Sequence, residues 1–181
     1  MKKVACILAD GFEETEALQT VDILRRANIS VDLVSIQNEV VSGSHNINVV
    51  ADKIWDDNME DYDMIFLPGG QPGTNNLMAD QRVLDTIVYY YENQKWVAAI
   101  CAAPLVLDKA NILKDKKVTS HPSVLEGNFV DSHYLSKEVV LDGNIITSRG
   151  VGTSPAFAFT ILELFDIDSQ PFKEAMVFIH K

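Results

Sequence analysis

Short, unbroken apolar runs alternate along this chain with longer stretches in which apolar residues recur every three or four positions. The runs at 4–8, 31–36, 64–67 and 96–100 lack polar alternation, so they predict strands of a parallel sheet buried on both faces. Helical spacing appears at 15–27, where Ala17, Leu18, Val21 and Leu24 share a face. It appears again at 81–93, where Val83, Leu84, Ile87, Val88 and Tyr91 are expected to point inward. Further helices are expected over 102–110 and 154–165, and an amphipathic tail at 172–179 is expected to dock as a last helix. Residues 40–50 read as a hairpin around the turn-like Ser42-Gly43-Ser44-His45-Asn46. A short strand at 118–120 should deliver His121, and 139–141 with 144–147 should pair around Asp142-Gly143. Strands alternating with helices, with no linker or repeat, predict one α/β domain over residues 1–181 with a mostly parallel central sheet.

In such sheets ligands bind beyond the carboxyl ends of the strands. Glu13, Glu14 and Glu16 follow the first run, Gly69 and Gly70 follow 64–67, Cys101 follows 96–100, His121 follows 118–120, and Arg149 and Gly150 follow 144–147. Most residues able to do chemistry are thus expected along one edge of one sheet. Cys101 is their centre. A buried strand runs directly into a helix there, among three alanines that suit a tight turn, and Pro104 suits the helix's first turn. A helix N-terminus would lower the thiol pKa and favour the thiolate; the other reading of the same segment is a buried, inert cysteine. Cys6, mid-strand among apolar residues, reads as inert.

Around Cys101, the N–H groups of Gly69, Gly70 and Ala102 could form an oxyanion hole. Glu14 reads as a solvated residue at a helix start. Glu16, one turn on, could point into the crevice, and burial there would raise its pKa and keep it protonated as a hydrogen-bond donor or proton shuttle. His121 is a candidate base for a cysteine nucleophile. His45, His133 and His180 have no comparable company and read as surface or packing residues. Arg149-Gly150-Val151-Gly152-Thr153-Ser154 offers glycines and Ser154 as a helix cap, without the spacing of a phosphate-binding fingerprint.

Composition narrows the function classes. The chain has 181 residues, 47% hydrophobic and 23% charged, with a net charge of -11. An acidic chain without a basic patch argues against nucleic-acid or anionic-membrane partners. Apolar residues at the N-terminus are too few for a signal peptide, and nothing approaches the roughly 18 apolar residues of a membrane span. Two cysteines cannot build a disulfide framework, so a reducing, cytoplasmic setting is expected. Neither cysteine lies in a metal-type cluster, and no metal or cofactor is expected.

Taken together, Ala9-Asp10-Gly11-Phe12-Glu13-Glu14-Thr15-Glu16, the segment 21–27, Leu67-Pro68-Gly69-Gly70, Ala99-Ile100-Cys101-Ala102-Ala103-Pro104, Val118-Thr119-Ser120-His121-Pro122 and the segment 147–154 resemble the ThiJ/PfpI superfamily. The resemblance is to the branch of the Parkinson's-disease-associated deglycase and the bacterial ThiJ-type proteins, and it spans nearly the whole chain. It implies a flavodoxin-like three-layer sandwich and a homodimer. Cys101 matches the family's reactive, easily oxidised cysteine, Glu16 its protonated partner, His121 the nearby histidine, and Gly70 and Ala102 the oxyanion-hole donors. Glu13, Gly69, Gly150 and Arg149 are assigned to the pocket, as is Gln71, which stands where some relatives have asparagine. Arg26 matches an arginine that reaches the partner subunit's pocket. An arginine expected around residues 44–46 is missing. Peptidase-like members carry histidine where this chain has Ala102, and glutaminase relatives carry an acid where it has Ser123, so the orienting member of a Cys-His-acid triad is absent.

The resemblance therefore implies a cofactor-independent cysteine enzyme acting on a small aldehyde, of the glyoxalase III or deglycase type, turning methylglyoxal into lactate. The alternative is a redox-sensing or chaperone protein of the oxidative stress response without turnover, whose thiolate climbs readily to sulfinic acid. A peptidase or amidotransferase-like hydrolase ranks below both. A purely binding flavodoxin-like domain would want a phosphate loop after the first strand, where Gly11-Phe12-Glu13-Glu14 is too acidic.

Overall fold

The computed structural model describes residues 1–56 and 58–178. Its centre is a seven-stranded sheet built from β1 (Lys3–Leu8), β2 (Ser30–Ser35), β5 (Lys53–Ile54), β6 (Met64–Leu67), β7 (Trp96–Ile100), β10 (Val139–Asp142) and β11 (Ile145–Ser148), in the order β10-β11-β7-β6-β1-β2-β5. Every neighbouring pair is parallel except β10 with β11. Two small sheets stand apart: β3 (Val40–Ser42) pairs antiparallel with β4 (Asn48–Val50), and β8 (Lys117–Val118) pairs parallel with β9 (His133–Tyr134).

The continuous apolar runs do what their lack of alternation requires. Val4, Cys6 and Leu8 of β1, with Met64 and Phe66 of β6, face a core closed by α1 (Glu14–Arg26) and α5 (Ser154–Leu164), through Ala17, Val21, Leu24, Phe157 and Ile161. Ala5, Ile7, Ile65 and Leu67 face the other side. There α2 (Gly73–Ala79), α3 (Gln81–Glu92) and α4 (Pro104–Lys109) supply Leu77, Val83, Ile87, Tyr90, Val106 and Leu107. The result is a mixed α/β sandwich of three layers, as expected. The last helix, α6 (Gln170–Ala175), ends before Phe178, whose ring packs 5.0 Å from that of Phe159; the rest of the expected tail, Ile179, and the neighbouring His180 lie outside the described residues.

Several local expectations shift. The second hairpin turns on Gly143, with φ +62, and Asn144, one residue later than the Asp-Gly dipeptide suggests. Tyr90 rather than Tyr91 is the buried ring of α3, and its hydroxyl donates to Met59 O at 2.6 Å. The strand before His121 belongs to the small β8–β9 sheet, so His121 does not sit at the edge of the central sheet. Ser154 is the first residue of α5 and not its cap; Thr153 takes that place. The helix after Cys101 begins only at Pro104.

The order of the sheet fixes where a site can form. The chain leaves β1 for β2 on one side and returns to β6 on the other, so a crevice opens beyond the carboxyl ends at this reversal. Glu13 and Glu16 follow β1, Gly69 and Gly70 follow β6, Cys101 follows β7, and Arg149 and Gly150 follow β11.

Candidate active site

Cys101 occupies the step between β7 and α4 with φ +65, a left-handed conformation uncommon for a side chain other than glycine. Both of its peptide groups are held: its N–H donates to Ser148 O at 3.0 Å, and its carbonyl accepts from His121 N–H at 2.8 Å. Those two bonds tie the turn to β11 and to the His121 segment, and so present the thiol to the crevice instead of the core.

Glycine makes the approach possible. A methyl group on Gly69 would lie 2.6 Å from Cys101 Cβ and 2.8 Å from Glu16 Oε2, inside any real contact distance. Gly69→Ala is therefore expected to force Cys101 and Glu16 apart, costing about 1–3 kcal/mol of stability and most of the site's reactivity. Urea unfolding together with the alkylation rate of Cys101 checks this; a variant matching wild type in both would contradict it. Gly70, with φ +90, turns the chain so that its N–H faces the sulfur.

Glu16 lies one turn into α1 and is 0% exposed. Its Oε2 accepts the N–H of Gly69 at 2.9 Å, so that donor is spent on the carboxyl and is not free for an oxyanion. Its Oε1 has no conventional hydrogen-bond partner and faces Cys101. Glu13 caps α1, with its Oε2 accepting Glu16 N–H at 2.7 Å. Burial drives the Glu16 carboxyl up to about 7, against the hydrogen bonds with Cys101 and with the N–H of Gly69.

The thiol departs from the sequence expectation. Burial first, then the charge and hydrogen bond of Glu16, push Cys101 up to about 12; the N–H groups of Ala102 and Gly70 pull the other way and are outweighed. The turn of Ala102 and Ala103 separates the sulfur from the helix start that was expected to depress it. Thiol and carboxyl thus form a coupled pair. Once Glu16 holds a proton, the charge that raises the thiol is gone and the carboxyl O–H can donate to sulfur.

Gly150 shows how closely the groups gather. A Cβ built on it would lie 3.5 Å from His121 Cδ2, 3.7 Å from Glu16 Oε1 and 3.9 Å from Cys101 Sγ. His121 itself is exposed, and its Nδ1 accepts from Ser123 N–H at 3.2 Å and meets Ser123 Oγ at 2.7 Å. The position where a triad would place an acid is filled by a hydroxyl, so the ring is oriented without an anion behind it.

The crevice encloses about 410 Å³ and is lined by Glu13, Glu16, His45, Cys101, His121, Arg149 and Gly150, together with Pro122 and residues 151–153. Gln71 is exposed and lies outside this lining. Arg26 stands at the far end of α1, exposed and ion-paired with Asp22 at 2.7 Å, about 15 Å along the helix from Glu16.

Two residues depart from their sequence reading. Glu14 is 3% exposed rather than solvated. Its Oε1 accepts His45 N–H at 2.6 Å and Ile47 N–H at 3.4 Å, and its Oε2 meets His45 Nδ1 at 2.9 Å and Ser44 Oγ at 3.2 Å. Burial works to raise this carboxyl, but the His45 side chain and the loop N–H groups hold it down at about 2. His45, whose sequence context suggests only a surface or packing residue, is brought by the β3–β4 loop into the crevice lining, and the Glu14 bond raises its pKa. The signal was the pairing of a turn-like Ser-His with acids that only the fold brings near. Glu13, Glu14 and His45 offer ligand atoms within 4.8 Å of one another, but both oxygens of Glu14 and Nδ1 of His45 are already engaged, so the cluster reads as a loop anchor and not a metal centre.

Among the described residues no helix is long and apolar enough to cross a membrane. The sequence model of the DJ-1/PfpI family matches residues 2–164. The Parkinson disease protein 7 homolog of Danio rerio is 37% identical over 167 residues, covering 90% of this chain and 88% of that protein. Glutathione-independent glyoxalase DJ-1 of Schizosaccharomyces pombe is 33% identical over 177 residues, covering 90% and 91%. Protein DJ-1 homolog B of Arabidopsis thaliana is 37% identical over 161 residues, which are 87% of this chain and 36% of that protein, so the chain spans about a third of its length. The crystal structure of Drosophila melanogaster DJ-1beta superposes with a TM-score of 0.94 at 34% identity, covering 99% of both chains.

Proposed function

The chain belongs to the DJ-1/PfpI family, and on that premise we propose that it is a cofactor-independent cysteine enzyme of small reactive carbonyls, converting methylglyoxal to lactate with Cys101 as nucleophile. The observation that supports this most is the convergence of the Cys101 sulfur, Glu16 Oε1 and the His121 ring around Gly150 at an open crevice. The name of the fission-yeast relative, a glutathione-independent glyoxalase, agrees with it.

The chemistry balances without an external oxidant. The Cys101 sulfur adds to the aldehyde carbon, and the thiol proton passes by way of Glu16 to the aldehyde oxygen, giving a hemithioacetal. The N–H groups of Gly70 and Ala102 face the sulfur and would steady charge beside it. Glu16 or His121 then takes the proton from the former aldehyde carbon and a proton is returned to the neighbouring carbon, while the hydroxyl proton of the hemithioacetal passes to the former ketone oxygen, so the aldehyde is oxidised as the ketone is reduced. Water cleaves the resulting thioester, releasing lactate and the thiol. Glu16, able to hold or release a proton near neutrality, suits both transfers.

The test is lactate formation from methylglyoxal, without glutathione, by wild type, Cys101→Ser and Glu16→Gln. Rates well above buffer in wild type and lost in both variants are expected; equal rates in all three would sink the proposal.

The same reading makes the chain half of a homodimer in which Arg26 reaches the partner's pocket. Arg26 is exposed and lies away from its own crevice, as that role needs. Sedimentation equilibrium at micromolar concentration should give twice the chain mass; a monomer would remove this role for Arg26.

A further inference from the structure

His45 is placed in the crevice by an anchor that resembles the acid–histidine half of a triad. The buried Glu14 carboxylate accepts two loop N–H groups and bonds His45 Nδ1 at 2.9 Å, which fixes the ring and assigns the Nδ1 proton. Glu13 Oε1 stands 3.8 Å from the same nitrogen, also from the start of α1, and Ser44 Oγ 3.1 Å from it on the loop itself. With Nδ1 occupied, Nε2 is the nitrogen left for a ligand. It is a donor only when the ring is protonated, a form the Glu14 bond favours. The other charged or titratable groups sharing the crevice are Arg149, His121, Glu16 and Cys101. His121 differs in kind: its Nδ1 accepts the Ser123 N–H, so the neutral ring carries its proton on Nε2 and a bond donated from there would not depend on protonating the ring.

We propose that His45 donates its Nε2–H to the second oxygen of a 1,2-dicarbonyl whose aldehyde carbon meets Cys101, so that the site is built for α-dicarbonyls over simple aldehydes. The inference rests on Cys101 acting as a carbonyl nucleophile. The second oxygen is where negative charge gathers once the proton on the aldehyde carbon departs, so a charged donor aimed there favours reaction as well as binding. The side chain is 70% exposed, which places it at the rim and limits the size of the effect.

The test reads binding and not turnover. Cys101 is alkylated with iodoacetamide in the presence of methylglyoxal or propanal, and the concentration of each that halves the alkylation rate is measured. The ratio of the two cancels any change in thiol reactivity common to both aldehydes. At about pH 6.5 the preference of wild type for methylglyoxal should exceed that of His45→Gln by about tenfold. In wild type the preference should fall as rising pH takes the proton from the ring, while His45→Arg, which stays charged, should retain it. Equal ratios in wild type and His45→Gln, or a ratio in wild type that does not change with pH, would overturn the inference. A chain that shows the His45-dependent preference but makes no lactate would remove the proposed turnover and leave dicarbonyl recognition standing.

Discussion

Glu16→Gln is expected to lower methylglyoxal turnover by about 10²–10⁴-fold while making Cys101 easier to alkylate. The two effects have opposite signs because Glu16 acts in two ways. As a base and acid it moves the protons of the reaction, which an amide cannot do. As an anion it raises the neighbouring thiol, after burial the largest cause of the shift to about 12. The amide keeps an oxygen for the N–H of Gly69, now 2.9 Å from Oε2, and offers a donor toward sulfur where Oε1 stands without a conventional partner. A variant that lost turnover and alkylation together would show a collapsed site, and one that kept turnover would show that Glu16 moves no proton.

The same substitution should change how stability depends on pH. Glu16 is raised from 4.5 to about 7, chiefly by burial. Between those values the folded chain holds a proton that the unfolded chain has released, so stability falls as pH rises. The contribution is fully present below about pH 4.5 and is lost as pH rises through about 7, a span worth about 3 kcal/mol. Glu16→Gln should lack this limb, and urea midpoints measured across the window check it. Glu14 has the opposite sign. Held at about 2, it stabilises above the ordinary glutamate range, and that part is lost only as the pH falls toward about 2.

Cys101→Ser should abolish lactate formation, by at least about 10³-fold, with little change in stability. A serine hydroxyl fits the same turn and the same backbone bonds to Ser148 and His121, so the fold has no reason to respond. Its oxygen, far less acidic than a thiol, keeps its proton beside a carboxyl raised only to about 7 and is a poor nucleophile toward an aldehyde. Thermal melts beside the lactate assay separate lost chemistry from lost structure. Retained activity in a folded variant would contradict the assigned nucleophile.

What the sequence made legible follows from where each signal comes. β1, β6 and β7 announce themselves because a strand buried on both faces has no polar alternation to hide it, and α1 and α3 because their apolar residues recur on one face. The segment Gly73–Ala79 lacks such a stripe; its helix is fixed by the tertiary burial of Thr74 and Leu77, which local pattern does not encode. Cys101 was visible as a strand running into a helix, and Glu16 as an acid one turn into the helix after the first strand, a reading the family pattern then matched. The burial of Glu14 was not, since its partners His45 and Ile47 lie over thirty residues away. The raised thiol was hidden for a related reason: a helix start can be read locally, whereas the depth of burial and the facing carboxyl exist only once α1 and β6 have packed beside the turn.

The most direct test of the central claim, that Cys101 is the nucleophile, is a titration of activity against its alkylation. Iodoacetamide is added in fractional amounts, modification is mapped by peptide mass, and lactate formation is measured on the same samples. Cys6, wholly buried in β1 with its thiol pushed far up by burial, serves as the unreactive internal control. Activity should fall in proportion to the Cys101 modified and reach the buffer rate when that site is fully alkylated. Activity surviving full modification of Cys101 would contradict the account.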